Sequence, residues 1–253
     1  MIKGLYSAVS AMVVNIARQQ ALSHNIANLQ TPGFKQVLFT VEDFMQNQTV
    51  YSPQNSSQSN SLDYLGTMGL GSQISQEFID YSQGAMQDTG NQLDLAIEGN
   101  GFFRVKTTEG DCYTRDGRFL RDANSTLVTV EGYKVLDSSG QEITLPEGDV
   151  AVAPDGTISV NGAEVVKLGF GVFDKPEEEL QHTEGNFFTG PADSTSQDIP
   201  RVRQGYLEAS NANPSQLMTQ LVEVARSYEA AQKMVQNQDE LLGKSIASLG
   251  RIG

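Results

Sequence analysis

Both ends of this 253-residue chain carry long helical patterns, while the sequence between them favours strands and turns. In residues 1–30 and 214–249, apolar side chains recur at alternating spacings of three and four. A stripe that repeats every ~3.5 residues is the seam of a coiled coil, because slight under-winding of the helix keeps the stripe facing a partner helix. The pattern predicts terminal helices that pack on each other or on neighbouring copies, and it makes assembly the leading functional hypothesis.

The two stripes are regular but imperfect. The front stripe consists of Leu5, Val9, Met12, Ile16, Gln19 and Leu22. The back stripe consists of Leu217, Leu221, Val224, Tyr228, Ala231, Val235, Gln238, Leu242, Ser245 and Leu249. Polar residues at Gln19, Gln238 and Ser245, with frequent alanine, favour close approach of the helices over interlocking of large side chains. An ordinary amphipathic helix on a globular core is the alternative, but at ~1.5 Å per residue the back helix would be about 54 Å long, which exceeds the width of a small domain.

Signals for the ends of both helices agree with these bounds. The front helix is predicted to end near residues 25–28, because the proline of Thr-Pro-Gly at 31–33 cannot continue a helix and the glycine permits a reversed backbone. The back helix is predicted to begin after Asn211 and Asn213, which supply caps, with Pro214 in its first turn.

Acidic residues are concentrated in the middle of the chain. The net charge is −14, yet the first 36 residues contain three basic residues and no acidic one, and the last 49 contain four basic and five acidic. The excess negative charge therefore lies between the two helices. Such a surface repels nucleic acid and anionic lipid, so we expect neither as a partner.

Cysteine content and hydropathy exclude several classes of protein. Cys112 is the only cysteine, so no intramolecular disulfide can form. No Cys/His cluster predicts a metal site, and we expect no cofactor. Near the N-terminus, Ser7, Ser10 and Arg18 interrupt the apolar residues and no cleavage site follows, which predicts neither a cleavable signal peptide nor a transmembrane helix. By these rules alone the protein is cytoplasmic, although export without a cleaved signal would leave the same pattern.

Residues 37–75 form a polar stretch rich in glutamine, serine and asparagine. Its scattered apolar residues cannot build a core, so we expect either disorder or an extended arm that neighbouring subunits order. Gly66, Gly69 and Gly71 allow bends in this stretch. They do not predict a phosphate-binding loop, because the strand, helix and Lys-Ser/Thr pair of that motif are missing.

Strand signals fill the range 76–204. Residues 92–97 alternate with period two, and a Gly-Asn-Gly turn leads from them into Phe102–Val105. Turn signals at 116–117 and 154–156 separate further alternating runs. Short strands at this spacing predict an antiparallel β-domain.

We therefore predict an α+β fold with three parts. Residues 1–36 and 205–253 form a terminal helical domain, in which the long helices pack in a coiled-coil-like manner. Residues 37–75 form an inserted extended arm, and residues 76–204 form the antiparallel β-rich domain. The two ends of the chain thus make one domain, from which the middle projects.

Several segments resemble proteins of the bacterial flagellar rod and hook. Ala21–Lys35, with the sequence ALSHNIANLQTPGFK, closely resembles the signature of flagellar basal-body rod and hook proteins. Leu207–Met234 resembles their C-terminal signature, and Asp94–Ile97, Gly101–Phe103 and Tyr113–Gly117 are similar to the rod-protein β-domain. The segments follow the order of the family over nearly the whole chain.

The resemblance implies a structural subunit of the flagellar basal body that lies outside the cytoplasm and is exported through the type III flagellar secretion channel without a cleavable signal peptide. The terminal helices would form an inner tube around this channel, and the β-domain would form the outer wall of a hollow drive shaft. The implied partners are further copies in a helical homopolymer, other axial proteins of the rod and hook, and the export apparatus, with no direct insertion into membrane. Within the family, residues 37–75 resemble a distal-rod member and residues 146–156 a proximal-rod member, and both stay open.

The same mechanism predicts the residues of the assembly interface. Apolar residues of the front helix would pack against those of the back helix, within or between subunits, and the residues after the front helix would fix the exit of the chain from it. The predicted interface consists of Leu5, Val9, Met12, Ile16, Asn25, Asn28, Pro32, Gly33, Leu221, Val224, Tyr228, Val235 and Leu242. Plain capping is an equal alternative for Asn25 and Asn28. Phe103, Tyr113 and Arg115 are expected to organise the β-core.

Two other functional classes fit the sequence less well. A hydrolase needs a nucleophile and a base within reach, but Ser23 and His24 are adjacent on one helix and point to different faces. His182 follows the acidic run 177–179 in a loop-like region, and no two carboxylates are marked as an acid/base pair. A β-rich adhesion module that binds calcium would leave the terminal helices unexplained, and the calcium-loop motif is missing. We therefore predict no enzymatic activity.

Overall fold

A computed structural model describes residues 2–51, 63–108, 110–183, 185–191 and 200–249. The helices are α1 (Ile2–Ala27), α2 (Pro176–Glu179) and α3 (Pro214–Leu249). The strands are β1 (Val37–Tyr51), β2 (Asp63–Ile79), β3 (Met86–Asp88), β4 (Leu95–Glu98), β5 (Phe102–Thr107), β6 (Gly110–Thr114), β7 (Phe119–Arg121), β8 (Leu127–Thr129), β9 (Lys134–Val135), β10 (Val150–Val152), β11 (Thr157–Val160), β12 (Ala163–Lys167), β13 (Phe170–Gly171), β14 (Gln181–His182), β15 (Phe187–Thr189), β16 (Arg201–Gln204) and β17 (Tyr206–Glu208).

The chain divides into two compact units, and each is discontinuous in sequence. The helical unit comprises residues 1–24, 37–78 and 214–253. The β-unit comprises residues 25–36 and 79–213. Both ends of the chain therefore lie in the helical unit, and the segments that follow α1 and precede α3 lie in the β-unit.

In the helical unit, α1 and α3 run antiparallel. Asn15 Nδ2 donates a hydrogen bond to Ser227 Oγ at 3.0 Å. Eleven residues earlier on α1, a Cβ added at Gly4 would lie 3.5 Å from Gln238 Nε2. A higher residue number on α1 thus corresponds to a lower residue number on α3, so the two helices are antiparallel.

The prediction of coiled-coil-like packing is wrong, and the burial along α1 shows why. Val9 and Ile16 of the predicted seam are exposed, whereas Ala8 and Asn15, each one residue earlier, are buried. A shift of one residue turns a helix by ~100°. The positions at which α1 is most buried against α3 therefore include small and polar residues, which allow close approach but do not supply the regular large knobs of a coiled coil.

The range predicted to be an extended arm contains two long strands. β1 and β2 have 15 and 17 residues and pair with each other in a two-stranded sheet. Ser72 N donates a hydrogen bond to Ser10 Oγ at 3.2 Å, which ties β2 to α1. A Cβ added at Gly71 would lie 2.5 Å from the same hydroxyl, so glycine lets the strand backbone approach the helix. Pairing satisfies backbone groups whatever the side chains are, and the polar composition therefore concealed these strands. Residues 52–62 of the predicted arm lie outside the described residues.

The β-unit is built around one antiparallel sheet. Its strands follow the order β14-β15-β6-β5-β9-β8-β7, and β13 pairs with the first half of β5. Side chains of β5 alternate between the two faces, so Phe103 and Val105 enter the main core while Phe102 enters a second cluster. The second cluster consists of Phe102, Tyr113, Phe173, Leu180 and Phe188. The α+β class, the terminal helices and the antiparallel β-domain of the sequence prediction are present.

The chain returns towards α3 along two short ladders. β16 pairs with β4 and β17 pairs with β3, both antiparallel. These ladders bring residues 205–213 beside residues 31–36. The hydrogen bond from Gly33 N to Glu208 O, at 2.7 Å, shows this proximity. The segment that leaves α1 and the segment that leads into α3 are thus joined within the β-unit.

Candidate assembly surface and buried junction

The outer face of α1 carries a stripe of large apolar side chains. Tyr6, Val9, Val13 and Ile16 are 64%, 46%, 60% and 42% exposed. Their spacings of three, four and three place them on one line, away from the face that contacts α3. We call them the outer stripe. A contiguous apolar surface of this kind marks a site of protein–protein contact.

A groove runs beside the outer stripe within the helical unit. Its volume is about 680 Å³, and α1 and β2 form its walls. The lining residues are Leu5, Tyr6, Val9, Ser10, Val13, Val14, Ser72, Gln73 and Ile74. Most of its apolar lining comes from α1, and β2 contributes Ser72, Gln73 and Ile74, so the groove can accommodate an amphipathic helix or strand.

The interface residues predicted on α3 lie together on one face of that helix. Val224 is buried, and Leu221, Tyr228, Val235 and Leu242 are partly buried. Other large apolar residues of α3 point to solvent. These exposed residues are Met218, Val222, Met234, Leu241 and Ile246. The α3 stripe thus forms one inward face, and additional apolar surface remains outside it.

The interface residues predicted on α1 are divided between two faces. Leu5 and Met12 are partly buried, whereas Val9 and Ile16 belong to the outer stripe. The structure therefore does not bring these four together in one seam. Tyr6 and Val13 of the outer stripe were not among the predicted interface residues, because they fall between the positions of the predicted seam.

The residues predicted to fix the exit from α1 lie at a sharp turn. Asn25 and Gly33 are buried, and Asn28 and Pro32 are partly buried. Gly33 has φ +68°, and a Cβ there would lie 2.3 Å from the carbonyl carbon of Arg115. Only glycine tolerates both the backbone conformation and this close approach.

Two residues after this turn, the chain enters a buried ion cluster. Lys35 Nζ lies 2.6 Å from Glu208 Oε1, and Arg115 Nη1 lies 3.0 Å from Glu208 Oε2. All three side chains are less than 5% exposed. We call Lys35, Arg115 and Glu208 the junction triad. It holds two cations and one anion, so the local charge is positive inside an acidic protein.

Backbone groups supply further hydrogen bonds to the junction triad, although the buried Arg115 Nε has no hydrogen-bond partner among the described residues. Lys35 Nζ donates to Ser82 O at 2.7 Å, and Arg115 Nη2 donates to Gly99 O at 2.7 Å. The carboxylate also accepts a hydrogen bond from Gly84 N at 2.9 Å. Buried charges need such partners, because an uncompensated charge in the interior is strongly unfavourable.

Burial also lowers the proton affinity of the two cations. The pKa of Lys35 lies below its ordinary value of 10.5, because burial disfavours the ammonium more than Glu208 stabilises it, and Arg115 adds repulsion. Burial lowers the pKa of Arg115 as well, against the opposing effect of Glu208. Glu208 therefore holds two cations that would otherwise be destabilising.

Asn211 has a different role from the predicted one. It was expected to cap α3, which begins at Pro214. Its side chain instead accepts a hydrogen bond from Gln36 N at 2.8 Å and donates to Asp80 O at 2.7 Å. Asn211 thus joins the segment after α1 to the segment before α3, beside the junction triad.

The junction triad was missed at the level of sequence, although each member lay in a segment already singled out. Lys35 ends the Thr-Pro-Gly-Phe-Lys motif, Arg115 lies in Tyr-Thr-Arg-Asp-Gly, and Glu208 lies in Leu-Glu-Ala-Ser-Asn. One signal in the sequence could have found the triad, because each of its charged residues lies within two positions of an aromatic or leucine side chain that is expected to be buried. Charged side chains are rarely buried unless they are paired, so these positions indicate an ion pair.

Other chemistry considered for the sequence has little structural basis. Ser23 and His24 are both exposed on α1. Among the described residues, no group of three or more His, Cys, Asp and Glu side chains is placed to hold a metal ion. Within the same residues, no helix combines the length and the hydropathy that a membrane span requires.

Comparison with family models defines the class of protein as an axial component of the flagellum. The family described as flagella basal body rod protein matches residues 5–35. The D1 domain of flagellar hook protein FlgE/F/G matches residues 96–160, and the C-terminal region of flagellar basal body rod FlgEFG protein matches residues 203–249.

Full-length relatives identify the family. The flagellar basal-body rod protein FlgF of Caulobacter vibrioides is 35% identical, over 96% of this chain and 99% of the relative. FlgF of Rhizobium meliloti is 32% identical over 98% of each chain. FlgG of Bacillus subtilis is 32% identical over 97% of this chain and 98% of its own. The chain belongs to the flagellar basal-body rod protein family, which confirms the resemblance and the predicted function as a structural subunit of the rod.

The three matched segments each contribute one member of the junction triad. Lys35 lies in the first segment, Arg115 in the second and Glu208 in the third. The ion pairs of the triad therefore connect the three matched segments of the chain. The relatives carry two names, FlgF and FlgG, at nearly equal identity.

Proposed function

We propose that this rod subunit polymerises into a hollow drive shaft that transmits torque and encloses the export channel. The observation that carries the proposal is the outer stripe, which leaves four large apolar side chains of α1 in solvent. Burying apolar surface contributes ~25 cal/mol per Å². The stripe therefore favours association of α1 with helices of neighbouring copies.

The geometry of this surface favours a polymer over a closed dimer. The outer stripe and the exposed residues of α3 are different surfaces, so one copy can present the stripe and the next can present α3. A contact between two different surfaces generates rings or open helical filaments. The assembly interface that we propose comprises the outer stripe of one copy, in which Tyr6 and Val13 join the predicted residues Val9 and Ile16, and the exposed α3 residues of the next copy, while the predicted α3 residues pack inward.

The junction triad suits a subunit that carries torque. Residues 31–36 and 205–213 adjoin two of the four points at which the chain crosses between the helical unit and the β-unit, so part of the force that passes along the chain passes through them. Hydrogen bonds join these two segments. Gly33 and Lys35 donate to Glu208, and Gln36 donates to Asn211. We propose that the triad keeps these segments from separating under load.

The remaining features of the proposal follow from family membership. We propose that residues 1–36 and 205–253 form the inner tube, that residues 76–204 form the outer wall, and that the chain contacts other axial proteins of the rod and hook. Export through the flagellar secretion apparatus without a cleaved signal belongs to the same proposal. A distal-rod position and a proximal-rod or hook-junction position are both compatible with relatives of two names. Catalysis has no part in this function.

Substitution of the outer stripe tests the proposal. Val9→Ser with Val13→Ser removes apolar area from the stripe without touching a buried side chain. We expect monomer stability to stay unchanged, while cells that carry only this variant form truncated rods and lose motility. Electron microscopy of isolated basal bodies and a swimming assay measure both effects.

Val165→Ser is the matched control, because Val165 is 41% exposed on β12 in the other unit. We expect normal rods from it. Intact, rotating rods in cells that carry the double variant would contradict the proposed interface. Intact rods in cells that lack the chain altogether would contradict the proposed function.

A further inference from the structure

A row of side chains crosses one face of the central sheet in the β-unit. Strand pairing places Leu120 opposite Val128, Val128 opposite Lys134, Lys134 opposite Lys106, and Lys106 opposite Asp111. Side chains that are directly opposite on neighbouring strands point to the same face, about 5 Å apart. These residues therefore form a continuous band, which we call the cross-strand row.

The middle of the cross-strand row holds an unfavourable pair of charges. Lys106 and Lys134 are both exposed and directly opposite each other, and like charges in that arrangement destabilise a sheet. Lys134 Nζ lies 2.6 Å from Glu142 Oε2, while Asp111 is paired with Arg104. Lys106 makes no salt bridge to any residue that the structure describes. The row therefore presents surplus positive charge on a chain whose net charge is −14.

The other end of the cross-strand row is apolar. Leu120 is 49% exposed on β7, which lies at the edge of the sheet, and Val128 beside it is partly buried. Val130, just after β8, is also exposed. A face with cations at one end and apolar side chains at the other fits a partner segment that is acidic and only weakly polar elsewhere.

The segment around α2 matches the cationic end of the row, because it is acidic. Residues 174–179 have the sequence Asp-Lys-Pro-Glu-Glu-Glu, with four acidic residues and one basic residue. Glu177 and Glu178 are exposed, and Pro176 between Lys175 and Glu177 is partly exposed. Lys175 and Glu178 form a salt bridge on the surface, where such pairs contribute little. The segment therefore has acidic groups available to a partner.

Within one copy, α2 is anchored away from the cross-strand row. Leu180, which follows α2, is buried in the cluster that contains Phe102 and Phe188. Phe102 and Lys106 are at opposite ends of β5, and no salt bridge joins the row to Glu177 or Glu178 among the described residues. Each copy thus carries a cationic row and an acidic segment that do not satisfy each other.

We propose that the cross-strand row of one copy binds the α2 segment of a second copy, through Lys106 and Lys134 on one side and Glu177 and Glu178 on the other. This contact rests on the proposed polymerisation and adds a second interface to it, in the β-unit. The two surfaces differ, so the contact can be made head-to-tail and can then propagate along a polymer. Charge complementarity also sets the register between copies, because a displaced neighbour would place like charges together.

Charge reversal tests this interface. Lys106→Glu with Lys134→Glu should lower the amount of the chain recovered in isolated basal bodies by about tenfold, because one surface then repels the other. Glu177→Lys with Glu178→Lys should do the same. A chain that carries all four substitutions again has opposite charges on the two surfaces. It should be recovered in isolated basal bodies at most of the wild-type amount. Failure of the combined variant to recover, with both parents folded by circular dichroism, would overturn the inference.

Cross-linking supplies a readout that does not depend on loss of assembly. Cells express two chains together, one with Lys134→Cys and one with Glu178→Cys, each with a different tag. Mild oxidation of isolated basal bodies should join the two tags in one disulfide-linked dimer. Lys167→Cys on β12 replaces Lys134→Cys as the control, since Lys167 also lies near an acidic residue but outside the row. The native Cys112 is buried and should not react.

The outcomes separate this inference from the proposed function. Basal bodies that contain both chains but give no mixed dimer would overturn the interface and leave the rod function intact. Basal bodies that contain neither the variants nor the wild-type chain would overturn the rod function itself. A mixed dimer with Lys134→Cys and none with Lys167→Cys is the result that we expect.

Discussion

The β-unit and the helical unit differ in how many large apolar side chains they leave exposed. In the β-unit, Phe103, Phe119 and Leu145 are completely buried. In the helical unit, Tyr6 and Val13 of α1 are more than half exposed, as are several residues of α3. The β-unit therefore encloses a large apolar core within one chain, whereas the helical unit leaves more of its large apolar side chains in solvent.

The two units also differ in how they use polar groups. The β-unit contains the junction triad, in which three charged side chains are buried together. In the helical unit, the contact between the helices includes a neutral pair, Asn15 and Ser227. Buried charged side chains tolerate few alternative arrangements, because an unpaired buried charge is strongly unfavourable. A neutral hydrogen bond between small residues restricts the packing of the helices less. The β-unit thus relies on paired buried charges at its junction, and the contact between the helices includes a neutral hydrogen bond.

The largest expected effect comes from removing the anion of the junction triad. Glu208→Gln leaves Lys35 and Arg115 buried without a counter-charge, and we expect the free energy of unfolding of the β-unit to fall by about 3–5 kcal/mol. Urea unfolding followed by near-ultraviolet circular dichroism measures this change. Glu142→Gln, which breaks an exposed salt bridge in the same unit, is the matched control and should leave the midpoint unchanged. Equal midpoints for the two variants would show that the triad does not secure the β-unit.

A smaller effect is expected from the inner face of α3. Leu217 is 0% exposed and Met218, the next residue, is 52% exposed. Leu217→Ala should lower the free energy of unfolding by about 2–5 kcal/mol, because it removes buried methyl groups and leaves a cavity. Met218→Ala should change it by less than about 0.5 kcal/mol. Far-ultraviolet circular dichroism during urea unfolding measures both, and equal losses would contradict the assignment of inner and outer faces.

The smallest effect is a pH dependence in the second aromatic cluster. Burial, with a contribution from Glu177, raises the pKa of Tyr81 from 10.0 to about 12. The folded protein therefore holds the phenolic proton more tightly than the unfolded chain does. This stabilisation is fully present below about pH 10 and is lost as the pH rises towards about 12.

Tyr81→Phe removes that dependence. The variant should lose less stability than the wild type between pH 10 and pH 12, while the two proteins behave alike at neutral pH. Urea midpoints at a series of alkaline pH values measure the difference. Parallel curves for the variant and the wild type would show that the ring of Tyr81, which lies 5.6 Å from that of Phe188, is no better shielded from water than in the unfolded chain.

Local patterns were sufficient for the elements with strong periodicity. The Pro and Gly at 32–33 and the Pro at 214 bound the two helices. Period-two alternation in residues 92–97 indicated a strand, and the structure has strand β4 at Leu95–Glu98. The long strands β1 and β2 were not predictable in this way, because their apolar and polar residues do not alternate clearly. Their pairing satisfies backbone groups and leaves no pattern in the sequence. Their contact with α1 through Ser10 and Ser72 joins residues far apart in sequence.

The site was predictable only in part. The α3 stripe from Leu221 to Leu242 lies on one face, as the spacing indicates. On α1, the spacing fits two faces, one with Ala8 and Asn15 and another with Val9 and Val13. Periodicity fixes an angle around a helix but not which of two such faces a partner covers, and the choice of the small face depended on close approach to α3.

By itself, the sequence determined that the chain has helical ends, an antiparallel β-domain between them, and the motifs of a flagellar rod protein. These properties depend on residues that are near one another in the chain. Only the tertiary structure decided which face of α1 is left outside and that Lys35, Arg115 and Glu208 meet. The physical reason is that burial and charge pairing depend on distances in space, and the members of the triad come from three segments that the fold alone brings together.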